Sequence, residues 1–387
     1  MISDAFLQIR TALDSTTEVT GGDSRTGVGA VFINKGIDKM IIESYNKSVD
    51  FSPLVKRTSI RQLAAIWNMK VNMGSTSKVQ FYSDGAGGTP YPSEFIQLYA
   101  QAKSLRSDYE VTGLTIAASS SYFNAIASEA KDAIDAMAQV EEQAFILGDD
   151  TSSDSSGITV TGTIGVSGSY KGLYQLMSSA VAMSDGSHGG LNDASTIYGS
   201  TRSATVTAKE YKLNVNCVCT DSATQSPLST VLLNAAITAS DKKGGKTHRR
   251  IFLCSEDRLN EISALIAPQG RFVVGGSMAQ LDGGVSVLAW KNHPIIGSRY
   301  MAFAGVTGDG TNATFSDADN AMHFLDMDNI VFTNVAGVDK MHQPIKGADA
   351  NQRNDVEGGY FKTYGVFLMK RFDTHSLIYN LSTPPGA

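Results

Sequence analysis

The chain is poor in the residues that usually carry chemistry. Its 387 residues include only three cysteines, Cys217, Cys219 and Cys254. That is too few for a multi-bridge disulfide framework, and they read as thiols of a reducing compartment. Cys217-Val-Cys219 on a strand would point both side chains one way. No further Cys or His stands nearby at ligand spacing, so half-buried small residues are a simpler account than a metal or redox pair. No run of about 18 apolar residues occurs, so a membrane-spanning helix is not expected. The opening residues, Met-Ile-Ser-Asp-Ala-Phe-Leu-Gln-Ile-Arg, lack the basic start and apolar core of a signal peptide. A soluble protein made and used in a cytoplasm is the expectation. Positive charge is not in excess either: 32 Lys and Arg face 38 Asp and Glu, a formal charge of −6. This argues against a protein that grips nucleic acid through a basic surface, though not against one that lies beside it.

Catalytic and cofactor motifs are equally scarce. Gly244-Gly-Lys-Thr resembles the end of a phosphate-binding loop, but the first glycine is replaced by Ser240 and the segment precedes a strand. Gly27-Val-Gly29 lacks the third glycine and the preceding strand of a dinucleotide fingerprint. Asp317-Ala-Asp319 and Asp326-Met-Asp328 begin like calcium loops but continue with Ala321 and Ile330, without the glycine. They are expected to be surface or turn carboxylates. His188, His248, His293, His323, His342 and His375 stand at no metal-ligand spacing, and no Gly-x-Ser-x-Gly elbow is present. No cofactor and no catalysis are expected.

What the sequence does have is one long helix. From Tyr122 to Leu147, Phe123, Ile126, Ala130, Ala133, Met137, Val140, Ala144 and Leu147 repeat at alternating spacings of three and four. No Gly or Pro interrupts the run, and alanine is the best helix former. At 1.5 Å per residue it would be roughly 39 Å long. Ser119 to Ser121 are candidates to cap its start, and Gly148 stands where a left-handed C-cap would fall. Glu141 and Glu142 are expected to be solvated.

Other elements are placed around it. With about 150 residues per domain as a prior, two or three lobes are expected. Residues 1–54 read as a polar, turn-rich arm with a helical stretch through Ile37, Met40, Ile41 and Tyr45, ended by Pro53. Met69, Val71 and Met73, then a turn at Gly74, then Val79 and Phe81, carry a hairpin signature. The glycine-rich tip Asp84–Pro92 follows, and Leu105 to Val111 lead back in extended form. Such an excursion has little core of its own and needs something to lie on. Asp149 to Gly157 is a polar loop. From Pro227 a helix, the strand Arg250–Cys254, a helix capped by Ser255 and strands at Val285–Trp290 and Pro294–Gly297 make a small α/β lobe. Long strands at Ile330–Thr333, Tyr360–Phe372 and Ser376–Leu381 close the chain.

This order of parts resembles the major capsid proteins of tailed bacteriophages, which share their fold with encapsulin shells. The residues that carry the resemblance are the acidic, alanine-rich helix from Ala125 ending in Ile146-Leu-Gly-Asp149, and Gly172-Leu-Tyr downstream. Leu228 to Ile266 is similar to that family's axial lobe and Ser376 to Leu381 to its closing strand. The resemblance implies an α+β fold with an N-terminal arm (1–54) and an extended β-hairpin loop (55–112). It further implies a peripheral lobe (113–214) with a spine helix (122–147), an axial α/β lobe (215–325) and return strands of the peripheral lobe (326–387). It implies a structural protein, not an enzyme, that self-assembles as pentamers and hexamers into an icosahedral virion shell in the host cytoplasm. Such a shell encloses double-stranded DNA without sequence-specific binding, and portal, scaffolding and decoration proteins are its implied partners; no membrane is involved. The extended loop would lie over a neighbouring subunit. Gly85 to Gly88 and the arm before Val31 would supply backbone freedom for both five-fold and six-fold settings. Some members weld neighbours by a lysine–asparagine isopeptide bond assisted by a glutamate. Lys70 or Lys78, Asn351 or Asn354, and Glu357 are the residues of suitable type.

Two other readings share these observations. An encapsulin-type nanocompartment would have the same fold around a cargo enzyme. A cytoplasmic α/β enzyme would use residues 74–112 as a mobile lid and remain a monomer or small oligomer.

Overall fold

The alanine-rich stretch is helical from Ala125 to Leu147. Its first backbone N–H groups are met by Asn124: the Asn124 side chain accepts from the Ala127 N–H at 3.1 Å and its carbonyl from the Ser128 N–H at 3.1 Å. The cap is therefore this asparagine and not Ser119, which ends the preceding short helix and donates its hydroxyl to the Ile116 carbonyl. Tyr122 and Phe123 lie outside the described residues.

The computed structural model describes residues 49–72, 92–119, 124–148, 159–160, 169–177, 196–219, 226–270, 278–280, 286–301, 306–307, 314–315, 321–345, 356–379 and 381–382. The arm before residue 49, the glycine-rich tip, the polar loop after Gly148, Met73 and the expected strand at Val79 and Phe81 lie outside them. The main elements are β1 (Lys56–Ile60), β2 (Ala64–Asn72), β3 (Glu94–Gln101), β4 (Lys103–Thr112), α1 (Gly113–Ser119) and α2 (Ala125–Leu147). After these come β5 (Asn216–Val218), α3 (Thr230–Lys242), β6 (Arg250–Cys254), α4 (Glu256–Gly270), β7 (Met278–Gln280), β8 (Ser286–Trp290) and β9 (His293–Gly297). The chain closes with β10 (Met322–Asp326), β11 (Ile330–Val335), β12 (Met341–Ile345), β13 (Val356–Met369) and β14 (Ser376–Ile378). Two units divide these residues. One holds Arg106–Met137 and Lys340–Lys362; the other holds the residues from 49 to Leu105, Ala138–Asp339 and those from Thr363 on.

In the larger unit a seven-stranded sheet has the order β7-β8-β9-β6-β10-β14-β5. Its central strand β6 runs parallel to β9 and antiparallel to β10. All five residues of β6 are buried, because each face covers a different core. Ile251 and Leu253 join Phe145, Phe332 and Phe367, whereas Phe252 and Cys254 join Leu232, Ile262 and Phe324. A strand buried on both sides reads as a continuous apolar run, which is how Ile-Phe-Leu-Cys appears in the sequence. Helix α3 starts at Ser229, whose hydroxyl accepts from the Leu232 N–H, and lies against β14 and β5. Helix α4 starts at Ser255, which accepts from the Arg258 N–H at 3.2 Å, with Glu256 and Asp257 placed favourably at the positive end of the helix dipole.

The same unit holds β1 parallel to β11 and β11 antiparallel to β13 through Asn334↔Gly365. The end of α2 packs there: Phe145 stacks on Phe367 at 4.8 Å and lies 5.1 Å from Phe332. Two expectations about this end are corrected. Gly148 does not adopt a left-handed conformation; it is a glycine because a Cβ would lie closer than 3.0 Å to the carbonyl oxygens of Ala144 and Tyr170. Gly172 meets it directly, donating its N–H to the Gly148 carbonyl at 2.9 Å, and a Cβ at 172 would collide with the Gly148 nitrogen. The two glycine segments singled out in the sequence are thus one backbone crossing. Glu141 and Glu142 are not solvated either, for both are fully buried. Glu141 is paired with Arg57, and Glu142 accepts from the N–H groups of Phe51 and Ser52 and from the Ser298 hydroxyl at 3.1 Å. Burial raises the Glu142 carboxyl above its ordinary value, opposed by those hydrogen bonds.

In the smaller unit β12 runs antiparallel to the first half of β13, from Met341↔Lys362 to Ile345↔Gly358. Tyr109, His342 and Phe361 form an aromatic cluster, with the Tyr109 hydroxyl 2.6 Å from His342 Nε2. Gly358 and Gly359 admit β4, since a Cβ at 358 would strike the Tyr109 carbonyl. Within this part of α2, Ala125, Ala133 and Met137 are buried and Ile134 is exposed.

Two expectations follow from this packing. Gly172→Ala should destabilise the subunit by roughly 1–3 kcal/mol, the usual range for overpacking, read as a lowered urea midpoint at unchanged slope. Met137 is 2% exposed, so Met137→Asp should leave no cooperative thermal transition, while Asp135→Asn should change stability by no more than about 0.5 kcal/mol.

Candidate interaction surface

Among the described residues strands β2 and β3 pair only with each other, as an antiparallel ribbon in which Ala65 faces Ala100, Trp67 faces Leu98 and Met69 faces Ile96. Those six side chains line the inner face and join the core of the larger unit. Trp67 meets Tyr198 edge to face at 5.0 Å, and the Tyr99 N–H donates to the Tyr198 carbonyl at 3.2 Å. Because strand side chains alternate, the residues between point the other way. That outer face carries Ile66 opposite Tyr99, Asn68 opposite Gln97 and Lys70 opposite Phe95. Ile66, Phe95 and Tyr99, together with Leu63 just before the ribbon, are each more than half exposed. The Lys70 ammonium sits 5.9 Å over the Phe95 ring.

A ribbon whose outer face exposes Ile66, Phe95 and Tyr99 among polar residues, with no third strand on its edges among the described residues, is what a protein that works alone avoids. Fully covering one such side chain contributes about 1.5–3 kcal/mol before ordering costs. The sequence carried this signal in Ile66, Phe95 and Tyr99, alternating with the inner set, but the hairpin reading joined Met69, Val71 and Met73 to Val79 and Phe81 about Gly74, whereas the described residues of β2 pair with β3 at 94–101.

The cross-link candidates fall as follows. Lys70 is exposed on β2 of the larger unit and Glu357 is exposed on β13 of the smaller. Lys78, Asn351 and Asn354 lie outside the described residues.

One chemical cluster went unread in the sequence: His248, Asp326 and Asp328 present ligand-type atoms within 4.8 Å of one another. Asp326 is completely buried, not a surface carboxylate. It accepts from His248 Nδ1 and Asn329 Nδ2, both at 2.6 Å, and from the Asp328 N–H at 3.2 Å. Asp328 in turn accepts from the Arg249 N–H at 3.0 Å. Burial works to raise the Asp326 carboxyl, but its hydrogen bonds outweigh this and hold it below its ordinary value. These groups tie the β10–β11 turn to the start of β6. Nearby, His375 Nδ1 accepts from the Asp326 N–H at 3.1 Å. Burial lowers His375 to about 4 and His323 to about 3, the latter also feeling His375, so both are neutral at pH 7.

With this geometry in view, the α+β fold is that of phage capsid proteins. Solved structures similar to the chain include the Cyanophage A-1(L) capsid asymmetric unit, at 12% identity and TM-score 0.57 over 90% of this chain and 97% of the other. They also include the capsid of a native GTA particle, at 10% identity and TM-score 0.55 over 94% and 100%. A third is from Gordonia phage Cozz, at 12% identity and TM-score 0.52 over 95% and 98%. No family model and no curated protein matches the sequence. No helix among the described residues is long and apolar enough to cross a membrane.

The two histidines set a pH dependence. Their folded pKa values lie below the ordinary 6.5, so the unfolded chain binds more protons as pH falls through 6.5 and stability is lost towards pH 4. Between pH 7 and pH 5 the loss should be about 2 kcal/mol per histidine. Urea titrations of the unassembled subunit should show it, and His323→Gln should flatten the slope by about one proton. A midpoint unchanged down to pH 5 would contradict the assignment.

Proposed function

We propose that this chain is the major capsid protein of a tailed phage, a structural subunit that tiles a closed icosahedral shell as pentamers and hexamers around double-stranded DNA. The observation that carries the reading is the β2–β3 ribbon, anchored by its inner face and exposing Ile66, Phe95 and Tyr99 on its outer one, in a fold similar to phage capsid proteins over most of the chain. A free-standing enzyme has no use for such a face; a shell subunit covers it with a neighbour. The net charge of −6 suits a wall that confines DNA without gripping it. Residues 1–54 would serve as the arm, 55–112 as the extended loop, 113–214 and 326–387 as the peripheral lobe and 215–325 as the axial lobe. Portal, scaffolding and decoration proteins would be partners of the assembled shell, and assembly would take place in the host cytoplasm. A covalent weld between Lys70 or Lys78 and Asn351 or Asn354, assisted by Glu357, belongs to this reading; particles boiled in detergent and reductant that ran only as monomer would remove it.

The ribbon provides the test. Ile66→Asp combined with Phe95→Asp alters two exposed side chains and should shift subunit stability by no more than about 0.5 kcal/mol per site. Assembly should be abolished: in light scattering the wild type should give megadalton particles and the double variant only capsomers or monomers. Particle formation by the folded double variant at the wild-type yield would overturn the role of the ribbon.

A further inference from the structure

The Gly244-Gly-Lys-Thr segment does not have the structure of a nucleotide loop. It forms one 3-10 turn, Gly245–Thr247, entered through Gly244 at a φ of +91°, and leads into β6 instead of opening a helix. Two other turns are tied to it. Arg371 Nη2 donates to the Lys243 carbonyl, which joins the segment to the β13–β14 turn. The Asp328 carboxylate accepts from the Arg249 N–H at 3.0 Å, which joins it to the β10–β11 turn. The Lys370 N–H closes the set by donating to the Asn329 carbonyl at 2.8 Å. Cations gather on this rim, in a chain whose formal charge is −6. Lys242, Lys246 and Lys370 are exposed, and among the described residues none of them meets a carboxylate. The other carboxylates of the rim are engaged: Asp241 by Arg250, Asp373 by Arg371 and Asp326 by His248, each at 2.6 Å. The three turns carry no large exposed apolar side chain.

We propose that this rim is a contact for the phosphate backbone of duplex DNA. The inference rests on the shell reading and names the part of the subunit that would meet the enclosed genome. Exposed lysines are compact charges on flexible stems, suited to phosphates and blind to base sequence. A protein partner would call for an apolar centre, which the β2–β3 ribbon has and this rim lacks. At about 0.15 M salt a charge is felt over only about 8 Å, so three lysines per subunit leave free DNA largely unbound. They act where confinement presses the duplex against the wall. The negative charge of the rest of the chain keeps other surfaces from adhering to it.

The test follows the fluorescence anisotropy of a labelled duplex of about 20 base pairs with the unassembled full-length subunit, from about 20 to 200 mM salt. Two duplexes of unrelated sequence should bind alike. Lys242→Gln, Lys246→Gln and Lys370→Gln together should weaken binding at low salt by about tenfold or more. The slope of log affinity against log salt should fall by about three, near one for each lost phosphate contact. Lys131→Gln, at an exposed site of α2, should change neither. No salt-dependent binding by the wild type, or equal binding by the triple variant, would overturn the rim and leave the shell reading standing. So would a polyglutamate chain of equal charge that displaces the duplex at lower concentration, which would make the rim a site for an acidic protein. Subunits that bind the duplex through the rim yet never form particles would instead overturn the shell reading.

Discussion

The arrangement of the larger unit depends on burying two adjacent carboxylates at the C-terminal half of α2. Between them Glu141 and Glu142 fasten two segments far apart in the chain, residues 51–57 and Ser298, to one helical turn. Arg57 at the start of β1 meets Glu141, while the N–H groups of Phe51 and Ser52 and the hydroxyl of Ser298 meet Glu142. Buried charge is costly unless paired and hydrogen-bonded, so these contacts define a position more than they add net stability. Breaking one side would leave the other exposed to the full desolvation cost. The crossing of Gly148 and Gly172 lies about two turns further on, where backbone meets backbone with no room for a side chain. Charge pairing and close approach thus fix the same helix end.

This fixed point gives the ribbon its meaning. The inner face of β2 and β3 belongs to the core that Phe145, Phe332 and Phe367 fill, so the ribbon's root is immobilised by the packing that holds α2. A firmly rooted two-stranded ribbon can present an apolar face to another molecule without paying much ordering entropy when it binds. The shell subunit proposed above would need that division: a rigid seat, and a surface whose final partner is another copy.

Much of this was legible in the sequence, unevenly. The three-and-four spacing and lack of breakers placed α2 well, and the apolar run Ile251 to Cys254 marked a strand buried on both faces. Ser255 announced its helix as a local cap should. The errors share one cause, dependence on distant residues. Arg57 is 84 positions from Glu141 and Ser298 is 156 from Glu142, so nothing near the two glutamates hinted that they would be buried. Gly148 had a sound local explanation as a cap, displaced by a close approach from Tyr170 and Gly172. Asn124 was passed over because three serines upstream looked adequate. His248 joined Asp326 only through the pairing of β6 with β10, a relation no spacing rule detects.

That the bare face of the ribbon exists to be covered by identical neighbours is the central claim. Electron microscopy of the freshly purified full-length chain tests it most directly. Closed, uniform shells with five-fold and six-fold clusters are predicted. A discrete monomer or small oligomer at every concentration and salt condition would contradict it.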